Sequence, residues 1–209
     1  MASDLWISGI EPESIVDGPG FRYVIFTQGC PHHCPGCHNP QTHPFTGGKK
    51  ADIPAILREI EEDPILQGVT FSGGEPFCQP EPLCQIAQAV KAMGKDVTAF
   101  SGYTLEQLVE LGREKPAVLE LLRLCDLLID GPYIEAQRDL TLQYRGSANQ
   151  RLIYKPGRSA SGVSPYPPPA GAYIVEGVSE CLESWPAGLA TNKKHPQNQQ
   201  NGRNRVWDF

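Results

Sequence analysis

Apolar positions along this chain recur with two periods that take turns. Residues 21–27 form an aromatic and β-branched run that ends at Gly29, which predicts a strand feeding a loop. Asp52 then offers an N-cap and Pro54 a first-turn residue for a helix carrying Ile53, Ile56, Leu57 and Ile60 at helical spacing. A short apolar run over residues 68–71 predicts a second strand, stopped by Gly73, Gly74 and Pro76. The spacing predicts a helix over 82–93 closed by Gly94, and a third strand over 96–100. Thr104 caps a helix running through Leu111, a further helix spans 117–124, and residues 127–129 make a fourth strand that ends at Asp130 and Gly131.

Strand and helix alternate, the pattern of βαβ units with a parallel sheet. Functional groups collect at the carboxyl ends of the strands in such a sheet. The loop after Gly29, residues 73–76, residues 101–103 and residues 130–132 each follow a predicted strand, so one end of the sheet would hold all four. Beyond Tyr154 the character changes. Pro156, Gly157, Gly162, Pro165 and the trio at 167–169 predict a stiff linker, residues 173–178 one more strand packed on an edge, and the polar stretch 195–205 low order. The expected division is a core domain over 1–154 and a Pro/Gly-rich linker with a polar tail over 155–209.

Charge and composition narrow the class. A formal net charge of −6 argues against a broad basic surface for nucleic acid. No run of about 18 apolar residues exists, and Asp4, Glu11, Glu13 and Asp17 are unlike the start of a signal peptide. A cytosolic protein without membrane or nucleic-acid partners is expected.

Seven cysteines in a cytosolic chain read as metal ligands, reactive thiols or small buried groups rather than as a disulfide framework. Cys78, Cys84, Cys125 and Cys181 are scattered and expected to be structural. Cys30, Cys34 and Cys37 crowd into one loop as CxxxCxxC. Thiolates hold iron–sulfur clusters, and a four-iron cube protected at every corner needs four of them. Three leave one iron open to a substrate atom. The alternative is a zinc site completed by His32, His33 or His38, although structural zinc sites usually draw on two separated ligand pairs and no second pair exists here. The histidines are otherwise expected as loop or surface residues, with His38 the closest candidate.

Gly29-Cys-Pro-His-His-Cys-Pro-Gly-Cys-His-Asn39 together with Gly73, Gly74 and Glu75 resembles the radical S-adenosylmethionine superfamily. Within it, Ile15-Val-Asp-Gly-Pro-Gly20 with Arg22, Phe71-Ser-Gly-Gly-Glu-Pro76, Ser101-Gly-Tyr103, Leu128-Ile-Asp-Gly131 and Tyr144-Arg-Gly-Ser-Ala-Asn-Gln150 are similar to the activating proteins of anaerobic ribonucleoside-triphosphate reductase. With the alternating elements, this sets the expected fold as α/β: a partial (β/α) TIM-like barrel of mostly parallel strands with a poorly ordered C-terminal extension. The resemblance implies a [4Fe–4S] cluster on Cys30, Cys34 and Cys37 whose open iron is chelated by S-adenosylmethionine. One electron, from a flavodoxin-like donor, would cleave that cofactor to methionine and a 5′-deoxyadenosyl radical, which would take hydrogen from a backbone glycine of the glycyl-radical subunit of the reductase. Carried over by position, Gly73, Gly74 and Glu75 sit at the methionine end of the cofactor and Gly36, Cys37 and His38 at the adenosine end.

Other residues admit two readings. Asp130 helps place the cofactor or binds a cation, or it is a strand-terminal turn residue. Arg22 and Arg145 meet carboxylate or phosphate groups, or pair at the surface. Rival functions are an activase of another glycyl-radical enzyme of the pyruvate formate-lyase type, and a zinc or iron–sulfur module without catalysis.

Overall fold

Four of the strands stand side by side in chain order. In the computed structural model, which describes residues 3–155 and the backbone of Tyr173 and Ile174, β1 is Trp6–Ser14, β2 Arg22–Thr27, β3 Lys49–Lys50, α1 Ile53–Glu62 and β4 Gly68–Gly73. Then follow α2 (Pro80–Ala92), β5 (Asp96–Phe100), α3 (Leu105–Glu114), α4 (Pro116–Leu124), β6 (Leu127–Asp130), β7 (Arg151–Tyr154) and β8 (Tyr173–Ile174). β2, β4, β5 and β6 pair in parallel, with Arg22 opposite Gly68, Gly68 opposite Asp96 and Thr98 opposite Leu127. Antiparallel strands flank them: β1 on β2, β3 on β1 and β7 on β6, with β8 parallel to β7 at the far edge. The result is a mixed sheet of eight strands in the order β3-β1-β2-β4-β5-β6-β7-β8. Its ends are β3 and β8, and among the described residues no pairing joins them into a closed barrel.

The helices begin where the sequence places their signals. The Asp52 side chain accepts from the Ala55 amide at 3.0 Å, and Thr104 forms a full capping box with Gln107. Prolines at the first turns of α2 and α4 carry these helices two and one residues further upstream than predicted, since a residue without an N–H loses nothing there. α1 packs on α2, α2 on α4 and α4 on α3, so the helices share one face of the sheet. Tyr23, Ile25, Val69, Phe71, Val97 and Ala99 alternate toward that face and form the main core with Ile60, Leu83, Ile86, Leu108 and Leu121. Cys84 and Cys125 lie in it, as expected; Cys78 is half-buried, and Cys181 lies outside the described residues. So do the linker and tail over 155–209, apart from Lys155 and the strand at Tyr173–Ile174, which takes the expected edge position.

The opposite face has an apolar patch of Leu127, Ile129 and Leu152 and, nearer the amino ends of the strands, a buried polar layer centred on Arg22. This arginine is wholly buried. It donates to Thr70 Oγ1 and Thr98 Oγ1, each at 3.1 Å, to the Val69 carbonyl at 2.6 Å and to Asp96. Burial holds the Asp96 carboxyl above its ordinary value even against the pull of Arg22. Arg22 thus meets a carboxylate of its own chain at the end of the sheet remote from the cysteines, and neither pairs at the surface nor reaches a ligand there. Replacing it by alanine strands a carboxylate and two buried hydroxyls. Arg22→Ala is expected to lower the unfolding free energy by about 3–5 kcal/mol in urea titration, and adding Asp96→Ala to recover part of that loss.

Candidate functional site

The chain leaves β2 through Gly29 and β4 through Gly73, both with positive φ, at +96° and +89°. Backbone bonds lace the two exits together: Gly74 donates to the Thr27 carbonyl and Glu75 to the Gly29 carbonyl, each at 2.8 Å. A Cβ on Gly73 would stand 2.6 Å from Phe26 Cα, and one on Gly74 2.4 Å from the Gly29 oxygen. These glycines are therefore required by the close approach of two strand exits, one of which carries Cys30. On its other side the Cys30 amide donates to the His43 carbonyl at 3.0 Å.

Around this junction the four exits form one pocket, as the order of elements predicts. Cys30, Cys34 and Cys37 line it together with Gly73, Gly74, Ser101, Gly102 and Gly131. Of the other positions singled out in the sequence, Gly36 and His38 stand exposed beside the pocket. His38 tilts against Tyr133 at 5.7 Å, and a Cβ on Gly36 would come within 3.1 Å of the same tyrosine ring. Tyr133, His43, Phe100 and Gln150 also line the pocket, and none was singled out individually from the sequence. The Tyr144–Gln150 segment explains itself structurally. Gln150 accepts from the Gly146 and Ser147 amides and donates to the Gly131 carbonyl, which closes the loop after β6.

Glu75 lies behind the pocket wall, fully buried. Its carboxylate accepts from the Phe77 amide at 3.1 Å, Ser101 Oγ at 3.0 Å, the Gly102 amide at 2.8 Å and His32 Nε2 at 2.9 Å. Because the carboxylate only accepts, the proton sits on Nε2 of His32. His32 is consequently no loose loop residue: its ring stands edge-on to Tyr103 at 4.4 Å and fills the space left open by Gly102. Tyr103 in turn packs on the main core. Asp130 serves structure too. It accepts from the Leu105 amide at 2.7 Å, at the start of α3, and from Arg151 Nε at 2.9 Å, while Arg151 also grips Glu106.

The donor set fits an iron–sulfur cluster. The three thiols are free of disulfides and share one pocket, and burial pushes the Cys30 thiol up, a cost that metal binding to the thiolate offsets. Among the described residues no three His, Cys, Asp or Glu gather closely enough for a single metal ion. A zinc ion draws its sulfur ligands to about 2.3 Å from one point, whereas a cluster takes each thiolate at a separate iron. Thiols spread around a pocket suit the cluster.

The model of the 4Fe-4S single cluster domain matches residues 16–153. The anaerobic ribonucleoside-triphosphate reductase-activating protein of Escherichia coli (strain K12) is 34% identical over 148 residues, which cover 66% of this chain and 92% of that protein. This chain belongs to the same family. The Haemophilus influenzae member is 36% identical, with 66% of this chain and 91% of that protein covered, and the member from Enterobacteria phage T4 is 34% identical, with 68% and 90% covered. QueE from Escherichia coli, a solved structure, aligns over 48% of this chain and 54% of that one at 18% identity and a TM-score of 0.38, too remote to bear on fold or function. Membership bears out the expected iron–sulfur domain, and its span holds every pocket residue named above.

Two outcomes follow from the junction and its neighbour. Gly74→Ala forces a methyl group onto the Gly29 carbonyl, so iron bound per chain after anaerobic reconstitution should fall severalfold while the helical circular dichroism persists. Arg151 holds the Glu106 carboxyl down at about 2 from its ordinary 4.5. A depressed acid stabilises the fold above its unfolded value and loses that effect as pH falls through the folded one. The gap in thermal midpoint between the native protein and Glu106→Gln should be full at pH 6 and close between about pH 4.5 and 2.

Proposed function

We propose that this chain is a radical S-adenosylmethionine activase that installs a glycyl radical in anaerobic ribonucleoside-triphosphate reductase. The observation that carries the reading is the meeting of three cysteine thiols and a glycine-lined backbone in one pocket at the carboxyl ends of four parallel strands. The relatives' names give the partner. Consecutive order of those strands supports reading the sheet as part of a (β/α) barrel.

Cys30, Cys34 and Cys37 would hold a [4Fe–4S] cluster, and a set of three thiolates would leave it able to bind S-adenosylmethionine. When bound, cluster and cofactor supply one-electron cleavage of the sulfonium–carbon bond and hydrogen-atom abstraction from the target glycine. Gly73 and Gly74 would border the methionine end of the cofactor, with Glu75, buried behind the pocket wall, supplying negative charge toward its ammonium group. Gly36, Cys37 and His38 border the adenosine end. Residues 1–154 form the radical S-adenosylmethionine core, with a flavodoxin-like protein as electron donor in the cytoplasm. No helix among the described residues is long and apolar enough to cross a membrane.

Anaerobic mixing of the reduced, cluster-loaded protein with S-adenosylmethionine and the reductase subunit should give the doublet of a glycyl radical in electron spin resonance. A protein that cleaves the cofactor yet never produces the doublet would refute the assigned partner. Cys34→Ala should abolish both the intact cluster and release of 5′-deoxyadenosine, because one iron corner loses its thiolate. Undiminished release from that variant contradicts the ligand set.

A further inference from the structure

Three buried polar side-chain atoms among the described residues find no hydrogen-bond partner: Gln67 Oε1, Arg145 Nε and His43 Nε2. Only the last belongs to a residue that lines the cysteine pocket. A buried polar atom without a partner is costly, and natural folds rarely leave one unless something else completes it.

The position of this imidazole is well determined. Its own main chain accepts from the Cys30 amide at 3.0 Å and donates to the Pro40 carbonyl at 3.2 Å, so its Cα is tied to the cysteine loop. Its ring meets the His33 ring edge-on, with centroids 5.1 Å apart and an interplanar angle of 85°. His32, the other histidine lining the pocket, differs: its Nε2 is already committed to Glu75. No cysteine sulfur lies within hydrogen-bonding reach of His43 Nε2 as the loop stands. With its ring proton on Nε2, the imidazole would find an acceptor in whatever fills the pocket, and a cluster would offer sulfide and thiolate sulfurs.

We propose that His43 donates a hydrogen bond from Nε2 to a sulfur of the bound cluster and raises its reduction potential. This rests on the cluster reading given above. Reduction adds one electron, taken from the external donor, and the added negative charge resides largely on the sulfurs. A donor aimed at one of them stabilises the reduced form more than the oxidised form, one of the ways in which hydrogen bonds to sulfur set cluster potentials. The imidazole keeps its proton throughout and ligates no iron.

The test is a redox titration of the anaerobically reconstituted full-length protein, followed by the spin resonance of the reduced cluster. His43→Phe keeps an aromatic ring but no donor, and His43→Gln keeps a donor. With iron and sulfide contents equal to those of the native protein, His43→Phe should titrate lower, by about 59 mV if the ratio of reduced to oxidised cluster falls tenfold, and His43→Gln should stay near the native value. An unchanged potential in a fully loaded His43→Phe overturns the inference. The native protein provides a second measurement that does not depend on any variant folding. Grown with 15N-histidine, its reduced cluster should show a weak 15N coupling in pulsed resonance that disappears in His43→Gln. No coupling, a coupling that survives in His43→Gln, or one strong enough for direct ligation would each overturn it. A native protein that takes up no cluster, or never cleaves S-adenosylmethionine, instead refutes the reading on which the proposal stands.

Discussion

A carboxylate sealed from water has to be met by donors, and the donors that meet Glu75 come from three separate stretches of chain. Phe77 belongs to the exit of β4, Ser101 and Gly102 to the exit of β5, and His32 to the cysteine loop after β2. Each of these segments alone is a surface loop with considerable freedom. Bound to one buried charge, they cannot move independently, because every departure leaves an acceptor unsatisfied in a low-dielectric interior. Ser101 extends the tie by accepting from the Tyr103 amide, and the Tyr103 carbonyl takes the Gly131 amide at the exit of β6. One side chain thereby registers all four exits, and the pocket exists because that registration holds.

The sheet carries a second buried charge at its other end. Arg22 spans β2, β4 and β5 from their amino-terminal side by reaching Val69, Thr70, Asp96 and Thr98. Between the two lies an apolar sandwich of sheet and helices. The ends differ in what they fix: Arg22 bonds to strand residues that the ladder already orders, whereas Glu75 bonds to exit loops that individual backbone bonds, such as Ser101 to the Ile129 carbonyl and Cys30 to the His43 carbonyl, also tie down. Loss of Arg22 is thus a matter of stability, while loss of Glu75 falls on the geometry of the site.

How much of this could be read from the sequence depends on how local each cause is. Caps, periodic apolar stripes and glycine stops are written within a few residues, and the four central strands, the helices and the convergence of their loops were legible from them. β1 was not, because Gly9 and Pro12 interrupt WISGIEPES and its outward residues are charged; it is recruited by pairing with β2, which no window of sequence contains. β7, too, is recruited by pairing, here antiparallel to β6. The same distinction governs the site. CxxxCxxC marks its three cysteines as candidates within eight residues, and they do line one pocket. Apart from the Phe77 amide, the partners named for Glu75, Arg22, Asp130 and His32 stand roughly twenty to seventy-six positions away, so their roles appear only once the chain is folded. Gly73 and Gly74 were legible as a special pair, but the reason for them is the contact with Phe26 and Gly29, which a turn-based reading does not supply.

The cysteine loop itself is sparsely bonded. Between positions 30 and 39 the Cys37 amide donates to the Cys34 carbonyl at 3.2 Å and the Asn39 amide to Cys37 Sγ at 3.4 Å, the His32 and His33 amides bond to the Cys30 sulfur, and His33 is held at a positive φ of 47°. Its order comes from outside: Glu75 through His32, and His43 through the amide of Cys30. A loop held at those two anchors and little bonded between them keeps its thiols near the pocket without fixing their final spacing. Metal binding would then contribute the remaining order, and the free energy of cluster insertion would become part of the free energy of folding this segment. The two anchors are bonded to the protein rather than to a metal, so they hold the loop at the pocket whether or not a metal is bound.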